Sequence, residues 1–313
     1  MKIVNKITLL FLLVATMITV VSTGSFYFVA KNQLRDLIYM QLETTINSRM
    51  HHIETYLDML ELAVAQLSKS IVLENFLKGI KDGSRKKEAF EIAMKRLKNT
   101  KEVNPYVYEF LLLDAKGKIV AATLENDIGL DKSDDAFFVG AQKHTYIKDA
   151  YFSEALKIPL IATSAPIFNS LTGEFLGVVV SRIKLDALSK IVTDSTGLGR
   201  TGELYIVNKY GYIFTPSRFS EETFLKKKID SLNLDNCRRY KNRENALEIE
   251  KRTGIFADYR GTEVLGTNRY IPKMQWSVLA EIDTNEVFAP LKKITILFTV
   301  VLLLVLLSFW LMS

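Results

Sequence analysis

Residues 111–121, LLLDAKGKIVA, and residues 205–215, YIVNKYGYIFT, are two versions of one pattern. Each begins with three apolar residues, continues with Asp114 or Asn208, and has a glycine three positions further on. Asp and Asn tolerate the left-handed backbone of tight turns, and glycine adopts it without steric cost. The pattern therefore predicts two β-hairpins, one in each of two related units.

A second pair of segments supports the repeat. Residues 176–188, LGVVVSRIKLDAL, and residues 276–288, WSVLAEIDTNEVF, each run from an apolar strand through a short polar turn into a helix start. Both matches occur in the same order along the chain, and their offsets are similar. We therefore predict an α+β fold with two copies of one unit, at residues 79–195 and 196–291.

Further elements follow from alternation and turn residues. Residues 79–195 are called the distal unit and residues 196–291 the proximal unit. The distal unit is expected to contain two hairpins and a closing helix, and the proximal unit a polar stretch of helix and loop. The predicted segments are Phe110–Asp114 with Ile119–Ala122, Leu160–Phe168 with Glu174–Ile183, the helix Asp186–Val192, and the polar stretch Phe219–Lys251.

Residues 31–78 lack glycine and proline and carry one apolar stripe with helical spacing. The stripe consists of Leu34, Ile38, Leu42, Ile46, Met50, Ile53, Leu57, Leu60, Val64, Leu67 and Ile71. Such a helix would span about 70 Å. It is expected either to pack against its own sheets or to act as a stalk that pairs with a second copy of the chain, and the two roles are compatible.

Two uncharged apolar segments, residues 7–30 and 294–312, flank this region. As helices they would reach about 36 Å and 28 Å, which suits a bilayer core of about 30 Å. We expect transmembrane helices at residues 7–30 and 292–313, with residues 1–6 in the cytoplasm. A cleaved signal peptide, processed near Ser22–Ser25, is the alternative for the first segment. Both alternatives place the central region outside the cytoplasm.

Composition argues against several classes of protein. The net charge is +6 and the pI about 9.1, but no basic stretch interleaved with aromatics resembles a nucleic-acid module. Cys237 is the only cysteine, so no intramolecular disulfide can form. Neither zinc-ligand spacing nor a phosphate-binding glycine loop nor a nucleophile elbow is present. We therefore predict no enzymatic activity, metal or cofactor for this chain, and no nucleic-acid partner.

Several spaced motifs resemble the double Cache sensor domain of bacterial transmembrane receptors. In the distal half they are YIKDAYFS at 146–153 and IATSAPIFNSLTGEFLGVVVSRIKL at 161–185. In the proximal half they are residues 196–219, beginning TGLGRTGELYIV, and residues 258–291, ending in FAPL. The resemblance covers about residues 31–293. It implies two PAS-like units on a long N-terminal helix, with the ligand usually held by the membrane-distal unit.

The resemblance also marks candidate ligand-binding residues. Family members that bind amino acids carry an Arg-x-Trp-Tyr-x-x-Ala segment whose Arg holds the ligand carboxylate, and a late Asp that holds the ammonium. Here Asp135, followed by Phe137 and Phe138, replaces that Arg, and Arg182 stands in place of the Asp. We therefore expect no amino-acid binding in the family orientation. Asp135 and Arg182 are expected to pair with each other or to bracket a ligand of different polarity.

Three more pocket residues, Tyr151, Thr163 and Ser164, are implied by their positions in the distal motifs. Each candidate has a structural alternative. Tyr151 could fill the core, Thr163 and Ser164 could be ordinary sheet residues, and Arg182 could lie on the surface. Asp135 is also well suited to cap a helix that begins at Ala136.

The resemblance implies the periplasmic or extracellular small-molecule sensing module of a homodimeric receptor in the bacterial inner (plasma) membrane. A sensor histidine kinase is the first expectation, and a diguanylate cyclase or chemoreceptor is the alternative. The chain stops at Ser313, directly after the second apolar segment. This end is typical of a truncated receptor whose cytoplasmic output domain is absent. A stand-alone accessory subunit that works with a separate output partner is the other possibility.

Overall fold

The computed structural model describes residues 3–84, 87–219, 224–239 and 253–312. Its first element is the long helix α1, Ile3–Ser68. Seven residues of the predicted stripe are buried along α1: Leu42, Ile46, Ile53, Leu57, Leu60, Val64 and Leu67. Burial of each such side chain contributes about 1.5–3 kcal/mol, so the helix is held mainly by the sheets beneath it.

The predicted helix 31–78 is interrupted, which the spacing of its apolar residues did not show. Lys69 and Ser70 separate α1 from α2, Ile71–Lys81, and Ser70 has an extended backbone with φ −69° and ψ 116°. Its carbonyl accepts the Leu73 and Glu74 amides and so begins the new helix. As a result Ile71 leaves the stripe and is 57% exposed.

The distal unit is an antiparallel sheet with the strand order β2-β1-β5-β4-β3. The predicted hairpins and closing helix are confirmed, with ends shifted by a few residues. The elements after α2 are α3 (Lys87–Glu102), β1 (Val107–Asp114), β2 (Ile119–Ala122), α4 (Ala136–Val139), β3 (Tyr146–Ser153), β4 (Ile158–Phe168), β5 (Phe175–Lys184) and α5 (Asp186–Thr193). A short 3-10 helix, Glu125–Asp127, follows β2.

The proximal unit has the strand order β6-β9-β8-β7. A single bridge from Val207 to Ile213 stands where the distal unit has β2, so both units share one arrangement. The elements are β6 (Glu203–Val207), α6 (Leu232–Arg239), β7 (Gly254–Ala257), β8 (Glu263–Ile271), β9 (Trp276–Asp283), α7 (Thr284–Val287) and α8 (Ala289–Met312). Within the predicted polar stretch, α6 is helical, and residues 220–223 and 240–251 lie outside the described residues.

The repeated turn predicted from the sequence is confirmed in atomic detail. Asp114 Oδ1 accepts the Lys116 and Lys118 amides at 2.9 and 3.0 Å. Asn208 Oδ1 accepts the amides of the two equivalent residues, both at 3.0 Å. Gly117 and Gly211 have φ values of 84° and 93°, in the left-handed region that favours glycine.

One apolar core runs along α1 and the inner faces of both sheets. The opposite, outer face of each sheet has a separate cluster. At the two ends of the described chain, α1 and α8 are long and apolar enough to cross a membrane by length and composition. They also contact each other.

Candidate functional site

The outer face of the distal sheet carries the candidate site, with α4 packed over it. Asp135 caps α4, since its Oδ1 accepts the Phe137 amide at 3.2 Å. The cap suggested by the sequence is therefore confirmed. It places Phe137 and Phe138 against the sheet, where they are 0% and 3% exposed in an apolar cluster with Ala162, Val178 and Val180.

Asp135 also forms an ion pair that the sequence did not indicate. Lys148 Nζ in β3 lies 2.8 Å from Asp135 Oδ1 and 3.0 Å from Oδ2. The same ammonium lies 4.2 Å from the Tyr151 ring centroid and 5.2 Å from that of Phe137. A cation at these distances from aromatic faces is held by them as well as by the carboxylate.

Arg182 forms the second charged group of the site, and its partners are not Asp135. Its Nη1 donates to Glu109 Oε1 at 2.6 Å and to Asp127 Oδ2 at 2.9 Å. Glu109 stands directly opposite Arg182 in the β1–β5 register, so the two side chains share the outer face. Burial raises the pKa of Glu109, although the guanidinium opposes this change.

Three buried polar atoms of this site make no hydrogen bond of normal geometry in the part of the chain described, although the Arg182 guanidinium is close enough to the Tyr151 hydroxyl to lower its pKa against the effect of burial. They are the Tyr151 hydroxyl, Glu109 Oε2 and Arg182 Nε. Burial raises the pKa of Tyr151 to about 12, so the hydroxyl keeps its proton. A buried polar atom without a partner is uncommon and costs about 1–3 kcal/mol. Together they present one donor, one acceptor and one group that can serve as either.

The structure places Ser164 and Thr163 on opposite faces of the sheet. Ser164 pairs in register with Tyr146 and donates its hydroxyl to the Tyr146 carbonyl at 3.3 Å, on the face of the site. Thr163 alternates with Ile161 and Ala165, which belong to the core beneath α1. The structure therefore brings together Asp135, Phe137, Phe138, Tyr151, Ser164 and Arg182, and separates Thr163 from them.

The expected alternative of a direct Asp135–Arg182 pair is not formed, because each residue has its own counterion. Sequence reasoning missed Lys148, Glu109 and Asp127. Lys148 lies within the motif at 146–153. In a regular strand Lys148 and Tyr151 would point to opposite faces of the sheet, but a bulge between them places both on the face of the site. No cluster of three or more His, Cys, Asp or Glu side chains suited to a metal occurs among residues 3–84, 87–219, 224–239 and 253–312.

Comparison with solved structures gives the fold an independent test. The sensor domain of the V. cholerae histidine kinase DctB superposes with a TM-score of 0.61 at 14% identity, covering 80% of this chain and 99% of that one. The ligand-binding domain of the Campylobacter jejuni chemoreceptor Tlp3, in complex with 4-methylisoleucine, gives 0.59 at 13% identity, covering 81% and 94%.

The ligand-binding domain of the Pseudomonas fluorescens chemoreceptor CtaA, in complex with L-leucine, gives a TM-score of 0.56 at 15% identity, covering 82% of this chain and 99% of that one. No curated protein matches the sequence significantly. The family model dCache_1, described as a Cache domain, matches residues 30–291, most of the 313-residue chain. The chain therefore belongs to the dCache family of sensor domains.

Proposed function

We propose that this chain is the extracytoplasmic input module of a transmembrane receptor and binds a small molecule on the outer face of its distal sheet. The observation that carries the proposal is the group of buried polar atoms without a hydrogen bond of normal geometry, on Tyr151, Glu109 and Arg182, on the sheet face that α4 covers. A protein that keeps such atoms dry and unbonded loses stability, and a ligand that bonds them would recover it.

The charges of the site indicate what the ligand would carry. Glu109, Asp127 and Asp135 contribute three carboxylates, whereas Lys148 and Arg182 contribute two cations. A ligand amino group would donate to Glu109 Oε2. A carboxylate or carbonyl oxygen would accept from Arg182 Nε and from the Tyr151 hydroxyl. A small zwitterion or amine satisfies both requirements.

The carboxylate of such a ligand would lie at the opposite end of the site from the family pattern described above. Asp135 already binds Lys148 and caps α4, so a ligand carboxylate near it would be repelled. The oxygen-binding end of the site is then the Arg182 end. The solved relatives CtaA and Tlp3 were crystallised with L-leucine and with 4-methylisoleucine, which makes amino acids and their analogues the first ligands to test.

The path to the membrane is short in the proximal unit. Strand β9 leads through α7 into α8 without a loop. Glu286 in α7 accepts the Arg200 and Thr201 amides at 2.9 and 2.7 Å, which fixes this junction to the start of the unit. A ligand that binds one conformation of the distal unit more tightly would raise the population of that conformation. The connected conformations of the proximal unit and of α8 would become more populated with it.

We further propose that α1 and α8 cross the membrane side by side. A cavity of about 330 Å³ lies between them, with a mainly apolar lining that includes Tyr27 and Phe298 together with the small residues Thr23, Gly24 and Thr295. Small residues allow helices to approach closely in a bilayer. The cavity leaves space for one helix to shift against the other.

The homodimer is proposed from α1 itself. Leu37, Met40, Met59 and Leu62 are between 54% and 62% exposed. At 100° per residue they fall on one side of the helix, within about 100° of arc. They form two exposed apolar patches, separated on that side by the exposed polar residues Thr44, Ser48, His51 and Thr55. Exposed apolar patches on a helix outside the membrane are typical of a surface covered by another helix. A second copy of the chain would cover it with its own α1.

A histidine kinase is the receptor type that we propose first, with a chemoreceptor or diguanylate cyclase as the alternative, since sensor domains of both kinases and chemoreceptors share this fold. An accessory subunit is the remaining candidate. Sequencing the gene beyond the Ser313 codon distinguishes them. A frame that continues into a kinase domain supports the first proposal, and a stop codon supports the accessory subunit.

Ligand binding is tested by thermal unfolding of the full chain in detergent micelles with three sets of probes. The probes are the standard amino acids, the amines formed by their decarboxylation, and the corresponding carboxylic acids without the amino group. We expect amino acids or amines to raise the unfolding midpoint, because a ligand that binds only the folded state stabilises it. The carboxylic acids should have little effect.

Tyr151→Phe makes the test specific. The Tyr151 hydroxyl makes no hydrogen bond of normal geometry in the free protein, so its removal should change the midpoint little, while the shift caused by ligand becomes smaller. Tyr210→Phe, at a residue 64% exposed, is the matched control. No shift with any probe, or a shift that Tyr151→Phe and Arg182→Gln leave intact, would contradict the proposed site.

A further inference from the structure

A concave site lies at the edge of the distal unit, away from α4. A cleft of about 550 Å³ opens where the end of α3 meets the start of β1 and the ends of β2 and β5. Its lining includes Lys98, Lys101, Lys184, Glu102 and Tyr108. None of the residues of the sheet-face site lines it. Its volume falls within the range of about 300–1,000 Å³ that small-molecule sites occupy.

The cleft is positively charged and its charges are poorly compensated. Three lysines line it against one carboxylate, that of Glu102. Lys98 Nζ lies 3.7 Å from Glu125, at the limit of an ion pair, and Lys184 Nζ lies 5.9 Å from the Tyr108 ring centroid. Among the described residues, no carboxylate lies within ion-pair distance of Lys101 or Lys184.

Helix electrostatics explain only part of this arrangement. Lys98 and Lys101 lie near the C-terminal end of α3, where a cation interacts favourably with the helix dipole. Lys184 is the last residue of β5, so the dipole does not account for it. It brings a third ammonium into the same cleft from a different element, although like charges in one concavity repel each other.

We propose that this cleft, the lysine cleft, binds a small oxyanion with two or more negative charges, either an organic phosphate or a polycarboxylate. Lysine ammonium groups act as point charges that accept either geometry, and several of them around one cavity favour a multivalent anion over a monovalent one. The lining also includes Val107, Leu124 and Tyr108, whose apolar parts can contact the carbon skeleton of such a ligand.

The lysine cleft is close enough to the sheet-face site to influence it. Val107 and Lys184 line the cleft, and they are near neighbours of Glu109 and Arg182 along β1 and β5. The charge of Lys101 already acts on the Glu109 carboxylate and lowers its pKa against the larger effect of burial. An anion bound to Lys101 would weaken that influence, so the two sites would be coupled electrostatically.

The test is isothermal titration calorimetry of the full chain in detergent micelles with pyrophosphate, citrate and acetate. Pyrophosphate binding assigns the site to phosphates and citrate binding to polycarboxylates, and acetate should bind much more weakly than either. We expect Lys101→Gln/Lys184→Gln to weaken binding of the preferred anion by about tenfold or more, through loss of two charged contacts. Lys101→Arg/Lys184→Arg, which keeps both charges, should retain binding.

The control is Lys87→Gln/Lys95→Gln, which removes the same charge from exposed positions of α3 outside the cleft. It should change the affinity by less than about twofold, which is the size expected for screened, long-range charge effects. Absence of binding by both polyvalent anions would overturn the proposal. An equal loss in the two Gln variants would also overturn it, because binding would then depend on net charge rather than on the cleft.

Discussion

Trp276 donates its indole N–H to Asp149 Oδ1 at 2.8 Å, and this bond joins the proximal unit to the distal one. Asp149 lies in β3 directly after Lys148, the ammonium that pairs with Asp135. Trp276 is fully buried and begins β9, and its ring centroid lies 4.6 Å from that of Phe214. A movement of β3 at the candidate site would therefore act on the strand that leads to α8.

The first prediction concerns this bond. Trp276→Phe keeps an aromatic ring but removes one of the two donors to Asp149 Oδ1 and leaves only the Ala150 amide, which should lower the free energy of unfolding by about 1–3 kcal/mol. Asp149→Ala should cost a similar amount because it leaves the indole N–H unpaired. Since both variants break one interaction, the double variant should be less destabilised than the sum, with a coupling energy above about 0.5 kcal/mol.

Urea unfolding of the four proteins in one detergent measures the cycle. Glu88→Ala, at an exposed residue of α3, combined with Trp276→Phe serves as the control pair and should be additive. Additivity of the Asp149 and Trp276 variants would mean that the bond does not couple the two units.

The second prediction compares Gly117 and Gly211, which occupy the same position of the repeated turn. An alanine Cβ at Gly117 would lie 2.5 Å from the Ser133 Cα, whereas the nearest atoms to a Cβ at Gly211 are 3.6 Å away. Gly211→Ala should therefore cost only the strain of a left-handed backbone, about 1–2 kcal/mol. Gly117→Ala should cost about 1–3 kcal/mol more, because the backbone at Ser133 must move.

Thermal and urea unfolding of the two variants give the comparison directly, and each glycine is the control for the other. Equal destabilisation would show that the contact between Gly117 and the segment at Ser133 is relaxed easily in solution.

These turns show what the sequence could predict about the fold. The hairpins followed from residues adjacent in the chain, because Asp114 and Asn208 bond amides two and four positions away. The same turn occurs a third time at Asp258, whose Oδ1 accepts the Arg260 and Thr262 amides. The sequence repeat did not predict this third turn, because the matched segments of the two units do not include residues 258–262.

The site was less predictable, for a physical reason. The Asp135 cap depends on the next two residues and was foreseen. The counterions come from strands far away in sequence, since Glu109 and Arg182 are 73 residues apart. Their contact depends on strand register, and at Tyr151 and Glu109 that register is altered by bulges. Such bulges have no clear signature in one sequence. Lys148 could therefore not be assigned as the partner of Asp135, nor Glu109 as the partner of Arg182.

The third prediction separates the two roles of Asp135. Asp135→Asn keeps a good helix cap but removes the charge that faces Lys148, and should cost about 0.5–1 kcal/mol. Asp135→Ala removes both the cap and the ion pair, and should cost about 1–3 kcal/mol. Urea unfolding measures the difference, which is the contribution of the cap.

The neighbouring Asp134 provides the control, because it is exposed and precedes the same helix. Asp134→Ala should change stability by less than about 0.5 kcal/mol. If Asp135→Ala were no more destabilising than Asp134→Ala, neither the cap nor the Lys148 contact would contribute to folding.

The last prediction concerns pH and the Glu281 carboxyl on the outer face of the proximal sheet. Glu281 is 2% exposed and accepts from Tyr205 Oη and Asn233 Nδ2 at 2.8 and 2.7 Å. It stands opposite Glu203 in register, a second buried carboxyl. Burial raises its pKa most, the hydrogen bonds from Asn233 and Tyr205 lower it, and the nearby carboxylates of Asp258 and Glu203 raise it further. The result is a pKa raised from 4.5 to about 7.

A carboxyl whose pKa is higher in the folded state binds its proton more tightly there. Its contribution to stability is therefore complete below about pH 4.5 and is lost as the pH rises through about 7. The loss should be of the order of 3 kcal/mol. Glu281→Gln resembles the protonated acid and does not titrate, so its stability should fall much less between pH 4.5 and 8. Glu88→Gln, at an exposed carboxyl, should follow the original chain.

Urea unfolding of the three proteins at intervals between pH 4.5 and 8, followed by tryptophan fluorescence, measures this difference. A Glu281→Gln curve parallel to that of the original chain would mean that Glu281 is ionised in the folded protein at neutral pH. In that case Tyr205 and Asn233 would together compensate for burial of the charge. The same pair, Glu203 and Glu281, occupies the positions that Glu109 and Arg182 hold in the distal unit, at the corresponding points of β6 and β9. The repeat thus places an ion pair in one unit and a proton-binding pair in the other, and the pH profile tests the second directly.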